Sequence, residues 1–177
     1  MQTLLDGVQI QKLLSTIADE IAADSSVELT GPTPVALVGI RSRGELLADR
    51  LADILATRSK HPIDVGALDI TMYRDDLASR RAITIPQGTD MNFRLDDRPV
   101  ILVDDVLETG RSIRAALDAL IAYGRPKLIR LAVLIDRGGR EFPIDADYVG
   151  THLTQMPGRK VRVRLKPSDA EDIAWLE

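Results

Sequence analysis

Two adjacent carboxylates, Asp104 and Asp105, stand directly after the four apolar residues 100–103. Such an apolar run is typical of a strand buried on both faces of a parallel sheet, so the sequence predicts the two acids at the carboxyl end of a strand. The segment TGRS at 109–112 follows, and apolar residues then recur at helical spacing. The chain therefore turns from a buried strand through a short polar loop into an amphipathic helix.

This loop has the residue types that bind a ribose phosphate. Gly110 allows a tight turn, and the amides at the helix N-terminus point at an anion, to which Thr109 and Ser112 add hydroxyl donors. Carboxylates such as Asp104 and Asp105 accept both hydrogen bonds of a ribose diol. The alternative is a solvated loop whose aspartates cap the helix. The predicted ribose 5-phosphate site comprises Asp104, Asp105, Val106, Leu107, Glu108, Thr109, Gly110, Arg111 and Ser112.

A second loop, GIRSRG at 39–44, also follows a predicted strand and precedes a helix. Its glycine spacing is that of a Walker A loop, but Glu45 and Leu46 replace the required Lys and Ser or Thr, which argues against a nucleoside triphosphatase. Arginine's forked donors suit pyrophosphate, so we predict a pyrophosphate site here, with surface arginines in a turn as the alternative. The residues of this predicted site are Arg41, Ser42, Arg43 and Gly44.

The composition, with 45% apolar and 28% charged residues in a chain of 177, fits one globular domain over 1–177. The absence of cysteine excludes disulfides and thiolate metal sites and agrees with a reducing cytoplasm. No segment has the length of a membrane span or the features of a signal peptide, so we expect a cytoplasmic protein. The net charge of -4 gives no overall attraction to nucleic acid.

Strand and helix patterns alternate along the chain. Asp6 and Gln9 predict a capping box for the first helix, the polar segment 74–98 is typical of a functional lid, and 167–177 is assigned a short helix. The predicted strands are 35–40, 65–73, 100–103, 128–135 and 160–165. The order predicts an α/β fold with a mainly parallel sheet flanked by helices and with ligands at the carboxyl ends of the strands.

The two loops, together with DITMYRDDL at 69–77 and the segment 132–150, resemble the type I phosphoribosyltransferases over nearly the whole chain. The last two segments resemble the subfamily that combines pyrimidine operon attenuation with uracil phosphoribosyl transfer. The resemblance implies a central parallel sheet, a small hood, a flexible loop and a homodimer or higher homo-oligomer.

The resemblance also implies a reaction. Phosphoribosyl pyrophosphate (PRPP), carrying Mg²⁺ without direct protein ligands, and uracil would give UMP and pyrophosphate. Asp104 and Asp105 would stabilise an oxocarbenium-like state, because catalysis by such a site is mostly positioning and charge stabilisation. Arg74 would close over the pyrophosphate, while Arg137 and Val161 would meet the base, largely through backbone groups.

Glu108 departs from the subfamily, which usually has an aromatic residue there, whereas purine phosphoribosyltransferases usually have an acid. The departure leaves open a purine-type transferase or a carboxylate that simply faces solvent.

The predicted RNA-facing positions also depart from the subfamily, because most of their basic residues are replaced and only Arg140 remains basic. The replacements are Thr16, Asp19, Asp24, Gly139, Asp145 and Thr151. A basic stripe instead follows the last predicted strand, at Lys160, Arg162, Arg164 and Lys166. Charge protecting an edge strand explains the stripe without RNA. A UMP-dependent RNA-binding regulator with little catalysis is the alternative from another functional class, and leader RNA is its expected partner.

Overall fold

The computed structural model describes residues 2–76, 86–154 and 156–177. Its elements follow in chain order as β1 Gln2–Asp6, α1 Gly7–Ala23, β2 Ala36–Ile40, α2 Arg43–Ser59, β3 Asp64–Leu68, a 3₁₀ helix Thr71–Tyr73, β4 Pro99–Leu107, α3 Arg111–Ile121, β5 Leu128–Asp136, β6 Tyr148–His152, β7 Val161–Arg164 and β8 Ile173–Leu176. Five strands form a parallel sheet in the order β3-β2-β4-β5-β6. The predicted parallel sheet is confirmed.

Successive residues of a strand point to opposite faces of the sheet. Both faces are apolar here, and helices cover both of them. Leu37 and Ile101 lie in one buried cluster with the apolar faces of α1 and α2. Val38 and Leu102, one residue further along the same strands, lie in a second cluster with α3. The site residues that follow these strands are therefore carried on a rigid, two-sided core.

The first helix begins where its sequence predicts. The Asp6 carboxylate accepts a hydrogen bond from the Gln9 amide at 2.8 Å, and the Gln9 side chain accepts one from the Asp6 amide at 2.9 Å. This reciprocal pair satisfies two amides that the helix itself leaves without partners, which confirms the capping box.

A second, antiparallel sheet forms the hood, with strand order β1-β8-β7. The helix predicted for 167–177 is wrong, because 173–176 form β8 between β1 and β7. Ala174 and Leu176 are buried while Ile173 and Trp175 are partly exposed, which is the alternation of a strand. Four residues are too few to predict a strand by themselves, because this strand depends on pairing with β1 from the other end of the chain.

Two predicted strands end at clearly different residues in the structure. The strand predicted for 65–73 ends at Leu68, and residues 71–73 are a 3₁₀ helix. β4 extends beyond Val103 to Leu107 because its pairing with β5 continues that far, so Asp104 and Asp105 lie within the last part of the strand. Of the predicted lid, 77–85 lie outside the described residues. Within the described ranges, no helix has the length and apolar character needed to cross a membrane.

Candidate active site at the carboxyl ends of the parallel strands

Two adjoining cavities open at the carboxyl ends of β2 and β4. The first, of about 350 Å³, lies beside the loop that joins β2 to α2. The second, of about 240 Å³, lies over the loop that joins β4 to α3. Four residues line both cavities: Arg74, Asp104, Val106 and Ser112. The two sequence-predicted loops therefore meet around Asp104.

Three of the four predicted pyrophosphate residues line the first cavity, namely Arg41, Ser42 and Arg43. Gly44 does not; a Cβ there would lie 2.4 Å from the Val103 carbonyl oxygen. A Cβ at Gly39 would lie 2.4 Å from the Gly44 carbonyl oxygen. The glycine spacing that resembles a Walker loop thus serves close packing of α2 against β2 and β4.

The two arginines of this loop have different surroundings. Arg41 donates to the Gly88 carbonyl at 2.7 Å and to the Glu45 carboxylate at 2.8 Å. Arg43 makes only long contacts, at 3.3 Å, with Asp169, and its buried Nε has no hydrogen-bond partner among the described residues. Arg43 is therefore the better placed of the two to bind an incoming anion, because an unsatisfied buried donor gains most from a new acceptor.

Backbone carbonyls of the predicted ribose phosphate loop accept hydrogen bonds from the segment 137–142. The carbonyl oxygen of Leu107 accepts from the Arg137 amide at 3.0 Å, and that of Thr109 accepts from the amides of 141 and 142 at 2.9 and 3.1 Å. Arg140 donates to the Glu108 carbonyl at 3.1 Å. Gly110 has φ of 87° and stands at the N-terminus of α3, whose first turn carries no acidic residue. These features fit the predicted anion-binding turn.

We expect Thr109→Val to raise KM for PRPP by about tenfold, because it removes one hydroxyl donor from a charged ligand. Valine keeps the branched shape but loses the hydrogen bond that the Thr109 hydroxyl accepts from the Arg111 amide at 3.3 Å, so the thermal midpoint of unfolding should fall only slightly. Steady-state kinetics with varied PRPP test this prediction, with Thr57→Val on α2 as the matched control. An unchanged KM for PRPP would place the phosphate away from this loop.

Asp104 and Asp105 form the acidic centre between the cavities. Asp104 is 9% exposed, and its carboxylate accepts from the Asp105 amide at 3.0 Å. Burial, with the negative charge of Asp105 beside it, raises the pKa of Asp104 well above its ordinary value. Burial also raises the pKa of Asp105, against the opposing effects of the Val106 amide and Arg43. A ligand that brings hydroxyl donors or positive charge therefore favours the ionised pair.

Arg74 lies between the two loops. Its guanidinium donates to the Ser112 hydroxyl at 3.1 Å and pairs with Asp76 at 2.9 Å. Arg111 pairs with Asp75 at 2.7 Å and with Glu141 at 2.6 Å. The start of the long segment thus contacts the ribose phosphate loop, and its closure over pyrophosphate stays a prediction.

The predictions omit three polar residues that line the first cavity: Asp69, Thr71 and Gln87. The Asp69 carboxylate accepts from the amides of Thr71 at 2.8 Å, Gln87 at 2.5 Å and Gly88 at 2.8 Å. Asp69 therefore links the start of the 3₁₀ helix to residues 87 and 88 of the long polar segment. Its place at the start of DITMYRDDL was the available signal, but two of its partners, the amides of Gln87 and Gly88, are eighteen and nineteen residues away and cannot be found from a local pattern.

Glu108, Arg137 and Val161 meet where the hood approaches the ribose phosphate loop. Val161 and Glu108 line the second cavity, and with Arg137 they also line a neighbouring cavity of about 370 Å³. The Glu108 carboxylate lies 3.6 Å from the Arg137 guanidinium, which is 6% exposed and donates to the Arg159 carbonyl at 2.8 Å. The Glu108 carboxylate is therefore half-exposed but lies next to the Arg137 guanidinium, so it does not simply face solvent.

Comparison with known proteins identifies the family of this chain. The phosphoribosyl transferase domain matches residues 5–167. The chain belongs to the phosphoribosyltransferase family. Among phosphoribosyltransferases, it is 48% identical over 174 residues to the bifunctional protein PyrR of Alkaliphilus metalliredigens, covering 98% of the chain and 93% of that relative. It is 44% identical over 172 residues to the bifunctional protein PyrR of Bacillus subtilis, covering 96% and 93%. It is thus a phosphoribosyltransferase of the PyrR group.

Solved phosphoribosyltransferases share the fold. The hypoxanthine phosphoribosyltransferase of Trypanosoma cruzi superposes with a TM-score of 0.74 at 21% identity, covering 99% of this chain and 95% of that one. A hypoxanthine-guanine phosphoribosyltransferase from Bacillus anthracis superposes with a TM-score of 0.66 at 18% identity, covering 91% and 86%. The predicted type I fold is confirmed.

Proposed function

We propose that this phosphoribosyltransferase acts in the cytoplasm and converts PRPP and uracil to UMP and pyrophosphate. The observation that carries the proposal is the meeting of two anion-binding loops at one acidic centre. Arg43 lines one cavity, the N-terminus of α3 borders the other, and Asp104 lines both. A ribose that carries a phosphate at one end and pyrophosphate at the other needs this arrangement.

The chemistry exchanges one bond at the ribosyl carbon for another. The bond to the pyrophosphate oxygen breaks, and that oxygen keeps the electron pair. A ring nitrogen of uracil bonds to the same carbon and loses its proton, which the released pyrophosphate accepts. Positive charge develops on the ribose between these events, next to the carboxylates of Asp104 and Asp105. Arg43 would hold the leaving pyrophosphate, and no acid and base pair is required, so catalysis is positioning and charge stabilisation.

Mg²⁺ would enter on PRPP. Among the described residues, no group of three or more His, Asp or Glu side chains is arranged to hold a metal ion. Mg²⁺ retains several waters and readily binds substrate phosphates, so the ion would be held by the pyrophosphate of PRPP and would need no direct protein ligand. The ion would neutralise the charge of the pyrophosphate as it leaves.

Glu108 should set part of the base preference. We expect uracil to be the best base, and we expect Glu108→Gln to raise KM for uracil several-fold, because Arg137 loses the carboxylate that helps to orient it. KM for PRPP should stay within about twofold. Steady-state kinetics with uracil, hypoxanthine and guanine test this, with the exposed Glu171→Gln as the control.

Each base outcome has a distinct meaning. Preference of the wild type for hypoxanthine or guanine, lost in Glu108→Gln, would establish the purine-type alternative. Absence of pyrophosphate release with any base would contradict the proposed reaction altogether.

A regulatory role in pyrimidine expression through RNA is the second proposed function, supported by the PyrR relatives, which are named bifunctional. The surface that would carry it differs from the one that the resemblance implies. Arg140, the basic residue retained there, donates to Asp136 at 2.6 Å and to the Ile144 carbonyl at 2.7 Å, and its side chain is only 20% exposed. Arg140 therefore holds the ribose phosphate loop and has little capacity left for a phosphate.

A further inference from the structure

The hood sheet has one apolar face and one basic face. Val163 and Ala174 are buried on the inner side. Arg162 and Arg164 of β7 are exposed on the outer side, where the partly exposed Trp175 of β8 lies beside them. The inner face of the hood sheet is thus buried against the core. The outer face carries exposed arginine side chains, which can bind anions.

Four basic residues follow this outer edge, Lys160, Arg162, Arg164 and Lys166, and they are named here the basic hood strip. All four are exposed, and at strand spacing they extend over about 20 Å. β7 is an edge strand of the sheet, so the strip is open along one side. Its length suits an extended chain of negative charges better than a single small anion.

Salt bridges neutralise little of this charge, although the positive charge of Lys166 contributes to lowering the pKa of the nearby Asp172. Arg162 pairs with Glu177 at 2.9 Å, but Lys160, Arg164 and Lys166 have no salt bridge within the part of the chain that the structure describes. The Arg164 guanidinium instead lies 4.9 Å from the centre of the Trp175 ring. Stacking on the ring orders the cation and leaves its edge free to donate to phosphate oxygens.

The α1 side of the molecule has the opposite charge. Residues 1–31 contain Lys12 as their one basic residue and five acidic residues. Phosphate contacts dominate the affinity of proteins for nucleic acid, so this side repels a polyanion. In a chain of net charge -4, the basic hood strip is a local exception.

We propose that the basic hood strip binds the phosphate backbone of single-stranded RNA, with Trp175 offering an aromatic surface for a base. A positively charged track beside an aromatic ring is the common chemistry of single-strand binding. The inference rests on the proposed regulatory function and gives it a location. β7 also joins this surface to the nucleotide site, because Val161 lines the nucleotide cavity, Arg162 lines the neighbouring cavity beside Glu108, and Arg164 is exposed further along the strand.

The test compares the wild type with Arg164→Gln/Lys166→Gln, whose residues line neither catalytic cavity. Binding of a short fluorescent single-stranded RNA of mixed sequence is measured by anisotropy over a range of NaCl concentrations. We expect about tenfold weaker binding in the variant, and a slope of log K against log salt smaller by about 1.4, from about 0.7 for each lost phosphate contact. Lys12→Gln/Lys127→Gln removes the same charge elsewhere and should bind as the wild type does.

Trp175 supplies a second readout because it is the only tryptophan of the chain. RNA bound at the strip should change its intrinsic fluorescence, whereas RNA bound elsewhere should not. UMP formation should be unchanged in both double variants.

Several results would overturn the inference. They are wild-type affinity in Arg164→Gln/Lys166→Gln, an equal loss in the control, unchanged Trp175 fluorescence, or binding of anionic phospholipid vesicles without RNA. A wild type that binds no RNA at low salt would also remove the regulatory proposal, while UMP formation would still decide the enzymatic one.

Discussion

Replacement of Asp104 by asparagine is expected to lower kcat/KM for PRPP by about 10² to 10³ while making the protein more stable at pH 7 by about 0.5–2 kcal/mol. The loss of activity follows from removing a negative charge beside the ribosyl carbon. Asparagine is nearly isosteric and its amide oxygen can still accept the hydrogen bond from the Asp105 amide. The gain in stability follows from removing a buried carboxylate that folding holds beside another one.

The sign of the stability effect follows from the raised pKa of Asp104 in the folded protein. Between the ordinary aspartate pKa of 3.8 and this higher value, the folded state binds more protons than the unfolded state. Stability therefore falls as pH rises through that interval and stays lower above it. The advantage of Asp104→Asn should be present at pH 7 and should disappear below the ordinary pKa of aspartate.

Urea unfolding at pH 7 and at about pH 3.5, together with steady-state kinetics, measures both effects. Asp96→Asn is the matched control, because a hydrogen bond from the Arg125 amide lowers the pKa of this exposed carboxylate. Asp96→Asn should not gain stability and should keep wild-type kinetics. Stability equal to or below that of the wild type in Asp104→Asn at pH 7 would contradict the assigned burial and charge repulsion.

Substitution of Gly44 by alanine is expected to lower kcat/KM for PRPP by about 10², although Gly44 lines neither cavity. The new Cβ would lie 2.4 Å from the Val103 carbonyl oxygen and 3.2 Å from the Asp104 Cα. The start of α2 must therefore move away from β4, which separates the pyrophosphate loop from Asp104. Overpacking of this kind also costs about 1–3 kcal/mol of stability.

A control on the same helix separates position from stability. Ala56→Gly weakens α2 by about 1 kcal/mol without adding an atom at the site. Steady-state kinetics at a temperature where both variants are folded should show reduced turnover and a raised KM for PRPP in Gly44→Ala only. Similar losses in the two variants would mean that helix stability, rather than the distance between the loops, controls activity.

The local features of the site were predictable because neighbours in sequence decide them. The Asp6 capping box, the turn at Gly110 and the apolar run before Asp104 each depend on residues within one short segment. The parallel order follows from the alternation of strands and helices, and it brings the two loops to one edge of the sheet. Most predicted site residues therefore line the two adjoining cavities.

The sequence by itself determined that two anion-binding loops flank an acidic strand end, because these are local patterns of residue type and spacing. The tertiary structure alone decided which charged groups remain free for a ligand. Arg41 and Arg140 are engaged with protein acceptors, and Glu108 faces Arg137. Arg43 has a buried donor with no partner among the residues that the structure describes. The hood likewise forms only when β8 pairs with β1 from the other end of the chain. Hydrogen bonds and ion pairs depend on distance in space, and chain order does not reveal it.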